Sequence, residues 1–406
     1  MHERWLILAV LTFARTAIGF QFQSVAALSP FLLDQFGMSY AALGTLIGIY
    51  LFPGVAVSLP SGVLAQRFGD KRIACIGLMA MTAGGLLMAF ADSSALLMVG
   101  RLVAGTGAVL FNVLVAKMVT DWFQGRELVT ALGILISSWP LGIAMALLVI
   151  PTAANAFSWS VGMIVAAALS GAALIVVATA YRPAAGLTHQ SGPFHIDVTT
   201  REFSLATFAG VVWTFYNVAF IVLLAFGPGY LIASNWSAGR ANAMVSIVSW
   251  VIIPALPLTA WIAERIGRPN TMMVTSFAAA ALAIWSVIFW SPSVSLFILI
   301  GFFLAAPGGL VMALPCESVR PNRRAIAMGL YFTCYYGGMG LLLPVAGYAR
   351  DLTGSPATPL WVAGLLLIVA IAVLGAFRAL QSFTMANSDV YGPAGRHSLS
   401  SGRIRY

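Results

Sequence analysis

The chain has 406 residues, 60% of them hydrophobic and only 8% charged. A soluble globular domain carries about 25% charged residues, so a large water-facing surface is excluded. The net charge of +9 does not signal a nucleic-acid partner either, because the basic residues stand one to three at a time between apolar stretches and form no patch.

Apolar runs approaching the roughly 20 residues that cross a bilayer recur along the whole chain. Twelve are expected, at 5–30, 40–61, 73–91, 95–118, 129–150, 158–181, 204–226, 241–262, 270–290, 293–315, 326–349 and 358–378. They are too long, and alternate too little in polarity, for barrel strands; helices are the other way to satisfy backbone groups in lipid. The expected fold class is therefore an all-α membrane protein. The first run extends past signal-peptide length without a small-residue cleavage pattern and reads as a retained helix. The longest polar connection, 182–203, divides the chain into two six-helix bundles, 1–181 and 204–380. Residues 381–406, with their Ser, Gly and Arg, read as a disordered cytoplasmic tail.

Charge orients the bundle. With a cytoplasmic N-terminus, seventeen of the 21 Lys and Arg residues fall on the cytoplasmic side, Arg240 and Arg350 fall in outside loops, and Arg15 and Arg101 lie within helices. This bias follows the positive-inside rule and places both termini in the cytoplasm of a multi-pass protein of the cell (inner) membrane. The halves are also related to each other. At an offset of 198 positions LAQRFG (64–69) lies on IAERIG (262–267), Ser39 on Ser237 and Phe22 on Phe220. A match in a polar loop at the same place in each half marks an internal repeat, and duplicated bundles hold their substrate site at the interface, near the bilayer midplane.

The segment FARTAIGFQFQ (13–23) carries an arginine deep in helix 1. At 1.5 Å per residue Arg15 stands about 15 Å in, near the middle of a ~30 Å core, where a lone Arg costs roughly 2.5–3.5 kcal/mol. All twelve acidic residues and all four histidines fall in termini, loops or helix ends, so the helices supply no counter-charge at that depth. A small anion, paired bidentately with the guanidinium, is the expected partner. The competing reading is a guanidinium held by carbonyls, amides, hydroxyls and water, with no ligand role. Without a mid-membrane carboxylate or imidazole, proton symport is disfavoured and anion uniport or exchange favoured. Helical spacing sets Gln23 on the Arg15 face and Asn112 on the Arg101 face; the repeat sets Trp213 opposite Arg15, with Asn217 one turn on; Tyr331 and Tyr335 share a face of helix 11. Arg15, Gln23, Asn112, Trp213, Asn217, Tyr331 and Tyr335 are the expected substrate-binding residues, with ordinary packing as the alternative for each aromatic ring.

The stretches GVLAQRFGDKR (62–72) and RLVAGTG (101–107), set in a duplicated six-helix layout, resemble the major facilitator superfamily over nearly the whole chain. Glycines in the first stretch permit a tight turn and close helix approach. The resemblance implies alternating access, and that the loop with Gly62, Arg67, Gly69 and Arg72 latches the cytoplasmic side in the outward-open state. Gln66 stands where the family has Asp, which leaves an electrostatic latch to Glu264 and Arg265 in the second half. The resemblance also implies a packing or gating role for Arg101. SWPLGIA (138–144) partly matches a helix 5 motif of exchangers and drug-efflux proteins, and helix 1 together with VTDWFQGREL (119–128) looks most like the cyanate and nitrate/nitrite porters. The expected function is secondary active or facilitative transport of a small organic or inorganic anion, with efflux of a larger amphipathic metabolite or drug as the alternative. The sequence has no His, Asp or Cys cluster at a membrane face, its cysteines (75, 316 and 334) lack metal spacing, and no nucleotide-binding Gly-rich loop occurs. An enzyme, a metal site and a cofactor are therefore not expected. The expected partners are the lipid bilayer and the small-molecule substrate of a monomer.

Overall fold

The computed structural model describes residues 2–123, 127–184, 199–320 and 324–390. Their helices are, in order, α1 (His2–Ala27), α2 (Ser29–Phe36), α3 (Tyr40–Gly48), α4 (Gly54–Phe68), α5 (Asp70–Ala89), α6 (Ser94–Trp122), α7 (Leu128–Ala156), α8 (Trp159–Ala180), α9 (Thr200–Ala233), α10 (Ala238–Ile266), α11 (Pro269–Phe289), α12 (Val294–Ala305), α13 (Gly308–Ser318), α14 (Arg324–Thr353) and α15 (Thr358–Val390). Among the described residues, 11 helical stretches are long and apolar enough to cross a membrane; α3 and α4 together supply a twelfth crossing. The protein is an all-helical membrane protein. An even number of crossings returns the chain to its starting side, called here the terminal side; the opposite side is the far side.

Five expectations change. The single helix expected over 40–61 is broken at 49–53. Pro53 has no N–H and its ring excludes a helical carbonyl, and the N–H groups of Leu51, Gly54 and Val55 turn instead to carbonyls three residues back. Pro307 likewise separates α12 from α13. At the C-terminus α15 runs to Val390, so the first ten residues of the expected tail are helical; 391–406, like 185–198 of the linker, lie outside the described residues. Arg350, expected in an outside loop, sits in the last turn of α14 and is only 8% exposed. Its guanidinium finds a hydroxyl and a ring there, described below. Lys117, assigned by sequence to the terminal-side connections, lies inside α6.

Local chemistry explains the helix starts. Ser39, Ser93, Ser158, Ser237 and Ser293 hold extended backbone just before α3, α6, α8, α10 and α12, and each hydroxyl accepts a first-turn N–H. All five caps serve helices entering from the far side, and each contributes on the order of 1 kcal/mol. Thr199 and Glu202 form a capping box at the head of α9. Small residues then bring backbones together. A Cβ on Gly77, Gly84 or Gly107 would strike backbone of the facing helix in the α5–α6 pair, the close approach that substitutes for hydrophobic driving force in lipid.

The repeat has a structural counterpart. Ser39 and Ser237, 198 positions apart, cap corresponding helices. Gly69 and Gly267, at the same offset, both take positive φ, +89° and +64°, a conformation that glycine adopts without steric penalty.

Candidate functional site

Arg15 lies at the middle of α1, where α1 and α7 run in contact along their lengths. Two glycines set that contact: a Cβ on Gly19 would overlap the Trp139 carbonyl, and one on Gly142 would overlap the Thr16 carbonyl. The guanidinium therefore reaches α7 directly. Its Nη1 donates to the carbonyls of Leu135 (2.6 Å) and Ile136 (3.1 Å) and to Ser138 Oγ (3.3 Å), while its Nε donates to Asn112 Oδ1 on α6 (3.1 Å). Among the described residues no carboxylate bonds to it, and Nη2 makes no hydrogen bond. The charge is held by neutral acceptors but not neutralised.

The second half supplies the facing wall. Tyr335 and Tyr336 on α14 both stand within electrostatic reach of Arg15, and the Tyr336 phenol lies close to Asn112. Gly54 makes room for Tyr336, because a Cβ there would run into the tyrosine ring. Trp213 on α9 lies against Tyr335, with ring centroids 6.3 Å apart, and against Tyr331 at 5.8 Å and Tyr216 at 5.5 Å. Trp213 Nε1 is buried and has no acceptor among the described residues. Arg15, Asn112, Tyr335 and Trp213 thus converge from four helices of both halves.

Three expected binding residues are placed otherwise. Gln23 is 0% exposed and donates to the Leu224 carbonyl (3.1 Å), joining α1 to α9 above the Arg15 level. Tyr331 is fully buried behind Trp213, its hydroxyl turned to the Val311 carbonyl at 3.4 Å. Asn217 folds its amide back onto the Trp213 carbonyl of its own helix (2.8 Å). Sequence reasoning missed Tyr336, Ser138 and the α7 carbonyls. The i, i+4 rule chose Tyr335 from Tyr331 and so passed over Tyr336, its neighbour on the adjoining face.

Arg101 is 0% exposed. Its donors go to the carbonyls of Leu46 (3.0 Å), Gln21 (2.8 Å) and Phe22 (2.5 Å), and the guanidinium lies 4.3 Å from the Tyr50 ring centroid. It ties α6 to α1 and α3 within the first half.

The residues expected to gate on the terminal side are mostly solvent-facing. Gly62 lies within α4, and the Gln66 side chain lies outside the described residues. Arg67 and Arg72 are exposed, Arg67 lying 5.4 Å from the Phe68 ring centroid, and Gly69 makes the turn. Glu264 and Arg265 are exposed at the end of α10. Arg265 lies over the Trp261 ring at 4.2 Å, and among the described residues neither it nor Glu264 forms an ion pair. The ion pair observed beside the loop is one the sequence reading overlooked: Lys117 bridges Asp70 (2.6 Å) and Asp121 (2.9 Å). Burial first, and those carboxylates second, push the adjoining Tyr181 phenol above its usual range.

The far side is sealed where α3 meets α14. Cβ atoms on Gly44 and Gly48 would strike the carbonyls of Leu343 and Met339, and one on Gly347 the Tyr40 carbonyl. Asp351 then caps α3 from the other half, accepting the N–H groups of Tyr40 (2.9 Å) and Ala41 (2.8 Å). Arg350 donates to the Tyr40 hydroxyl (2.8 Å) and stacks on its ring at 3.6 Å.

A duplicated twelve-crossing bundle, with a charged site between its halves and one side sealed by helix contact, has the architecture of a secondary transporter of small solutes. The chain belongs to the major facilitator superfamily, whose profile matches residues 9–234 and 203–390; it is a multi-pass membrane transporter and not an enzyme. It is 22% identical over 379 residues to a hexuronate transporter of Bacillus subtilis (strain 168), covering 86% of this chain and 87% of that one. It is 22% identical over 421 residues to a probable sulfoacetate transporter, SauU, of Cupriavidus necator, with 93% and 94% covered. In fold it is similar to the inward-open xylose transporter XylE of E. coli, at a TM-score of 0.76 and 12% identity, with 92% and 96% of the chains covered. It is likewise similar to the nucleoside transporter NupG, at a TM-score of 0.73 and 16% identity, with 94% and 99% covered.

Proposed function

We propose that the protein carries a small anion across the membrane by alternating access, as a uniporter or exchanger, with Arg15 as the anion-binding group. The single observation that carries this reading is a mid-membrane guanidinium whose bonds all go to neutral acceptors and whose Nη2 is left unbonded among the described residues. Neutral acceptors satisfy its geometry; a mobile anion would satisfy its charge. Asn112, Tyr335, Tyr336 and Trp213 complete the site. With Nε and Nη1 already engaged, the anion meets Nη2, and the bidentate fork expected from sequence is not what the side chain presents. Two relatives are named for transport of anions, hexuronate and sulfoacetate, which supports an organic acid as cargo. The local likeness to cyanate and nitrate/nitrite porters would narrow the cargo to inorganic anions. The protein acts as a monomer in the cell membrane with both termini cytoplasmic, which reporter fusions active only in the cytoplasm check at each end.

The test is uptake of an anion panel by proteoliposomes. Truncating one partner of a buried charge pair costs ~2–5 kcal/mol, so Arg15→Gln lowers uptake per folded protein about 30-fold or more. Wild-type uptake by a folded Arg15→Gln protein refutes the site. Inhibition by bulky amphipathic cations, with no response to small anions, would favour the efflux reading.

A further inference from the structure

The helix 5 stretch SWPLGIA (138–144) enters the function proposed above only through Ser138, yet its proline also bears on Arg15. In a regular helix the carbonyl of Ile136 receives the N–H of residue 140. Residue 140 is Pro140, which has none, inside α7. The freed carbonyl accepts from Arg15 Nη1 at 3.1 Å. Next to it, the Leu135 carbonyl accepts both Nη1 (2.6 Å) and Ser138 Oγ (2.5 Å). Gly19 and Gly142 bring the two backbones close enough for these bonds to form.

We infer that Pro140 is a positioning residue for anion binding: by withholding an N–H it hands the Ile136 carbonyl to Arg15 and fixes which edge of the guanidinium faces the substrate. Four protein acceptors take the hydrogens of Nε and Nη1, so the side chain is locked with Nη2 presented. An alanine at 140 restores a donor that competes for the Ile136 carbonyl, loosens the guanidinium, and lets it rotate away from the binding geometry. The inference rests on the Arg15 anion site proposed above.

Binding of the same anion panel is measured by titration on purified wild-type, Pro140→Ala and Arg15→Gln protein, alongside thermal midpoints without anion. Removing one hydrogen bond is worth about a twofold to tenfold change in affinity, so Pro140→Ala weakens anion binding by that factor while its thermal midpoint stays equal or rises, since alanine suits a helix interior better than proline. A merely structural role for Pro140 leaves the affinity unchanged, and that result overturns the inference. If Pro140→Ala weakens anion binding together with a fall in the thermal midpoint, Ser138→Ala, which removes another Nη1 acceptor and keeps the kink, reads the same lock independently, and unchanged binding by Ser138→Ala then overturns the inference. Retention of binding by Arg15→Gln, in contrast, overturns the anion site itself.

Discussion

Two guanidinium groups lie inside this bundle, and their surroundings give them different work. Arg101 spends its donors on three backbone carbonyls of two neighbouring helices and lies against an aromatic ring, with no exposed surface. It is a staple. A lysine ammonium, one compact point of charge, cannot reach carbonyls arranged around a planar fork. Arg101→Lys therefore gives up charge-assisted hydrogen bonds worth about 1.5–3 kcal/mol each; the thermal midpoint of the purified protein falls, while the folded fraction binds anion within about twofold of wild type. Arg15 also bonds only neutral acceptors but leaves Nη2 unbonded among the described residues, so its loss is expected to lower transport by more than any change in folding explains. The same residue-level logic separates Tyr336, which reaches Asn112 across the interface, from Tyr331, which is buried in its own half.

At the scale of elements, the contact between α3 and α14 is the device that closes the far side. Glycines let the two backbones touch, and Asp351 supplies a carboxylate to two unpaired N–H groups at the head of α3. Charge at a helix N-terminus contributes ~0.5–2 kcal/mol, here across the interface between the two halves. Asp351→Asn removes the charge and should loosen the seal. In a cysteine-free background, Leu43→Cys, at a position 1% exposed, is expected to react with a membrane-impermeant thiol reagent about twofold to thirtyfold faster beside Asp351→Asn than beside Asp351. An unchanged rate would mean the cap does not hold the gate. The broken second crossing fits this role, since the turn at 49–53 separates the sealing segment α3 from α4, which runs on to the turn at Gly69.

For the whole molecule, the alternating-access cycle proposed above requires the seal to form and to open in each turn, and the seal rests on backbone contact. Gly44→Val places a branched side chain against the Leu343 carbonyl, and packed interfaces deform little to absorb such volume. The expected outcome is a folded protein whose anion exchange falls by roughly an order of magnitude or more, with anion binding from the far side retained. Exchange at the wild-type rate would show that closure does not need this contact.

Much of the architecture was legible in the amino-acid order because it is written locally. Apolar runs of crossing length, serines before far-side helices and a glycine at each 198-related turn are features of consecutive residues, and they specify twelve crossings in two related halves. The placement of Arg15 at mid-depth, with Glu3 at the helix end as the one acidic residue of α1, is local in the same way. Its partners are not: they lie 97 to 123 positions away, and the α3 cap comes from 310 and 311 positions away. Hydropathy and helical period say which face is apolar but not which helix a face will meet, and every pairing in a bundle offers a similar greasy surface. Backbone approach at a few glycines chose those pairings. That approach brought the Pro140-freed carbonyl to Arg15, put Tyr336 rather than Tyr331 beside Asn112, and drew Arg350 out of the loop in which its charge had placed it.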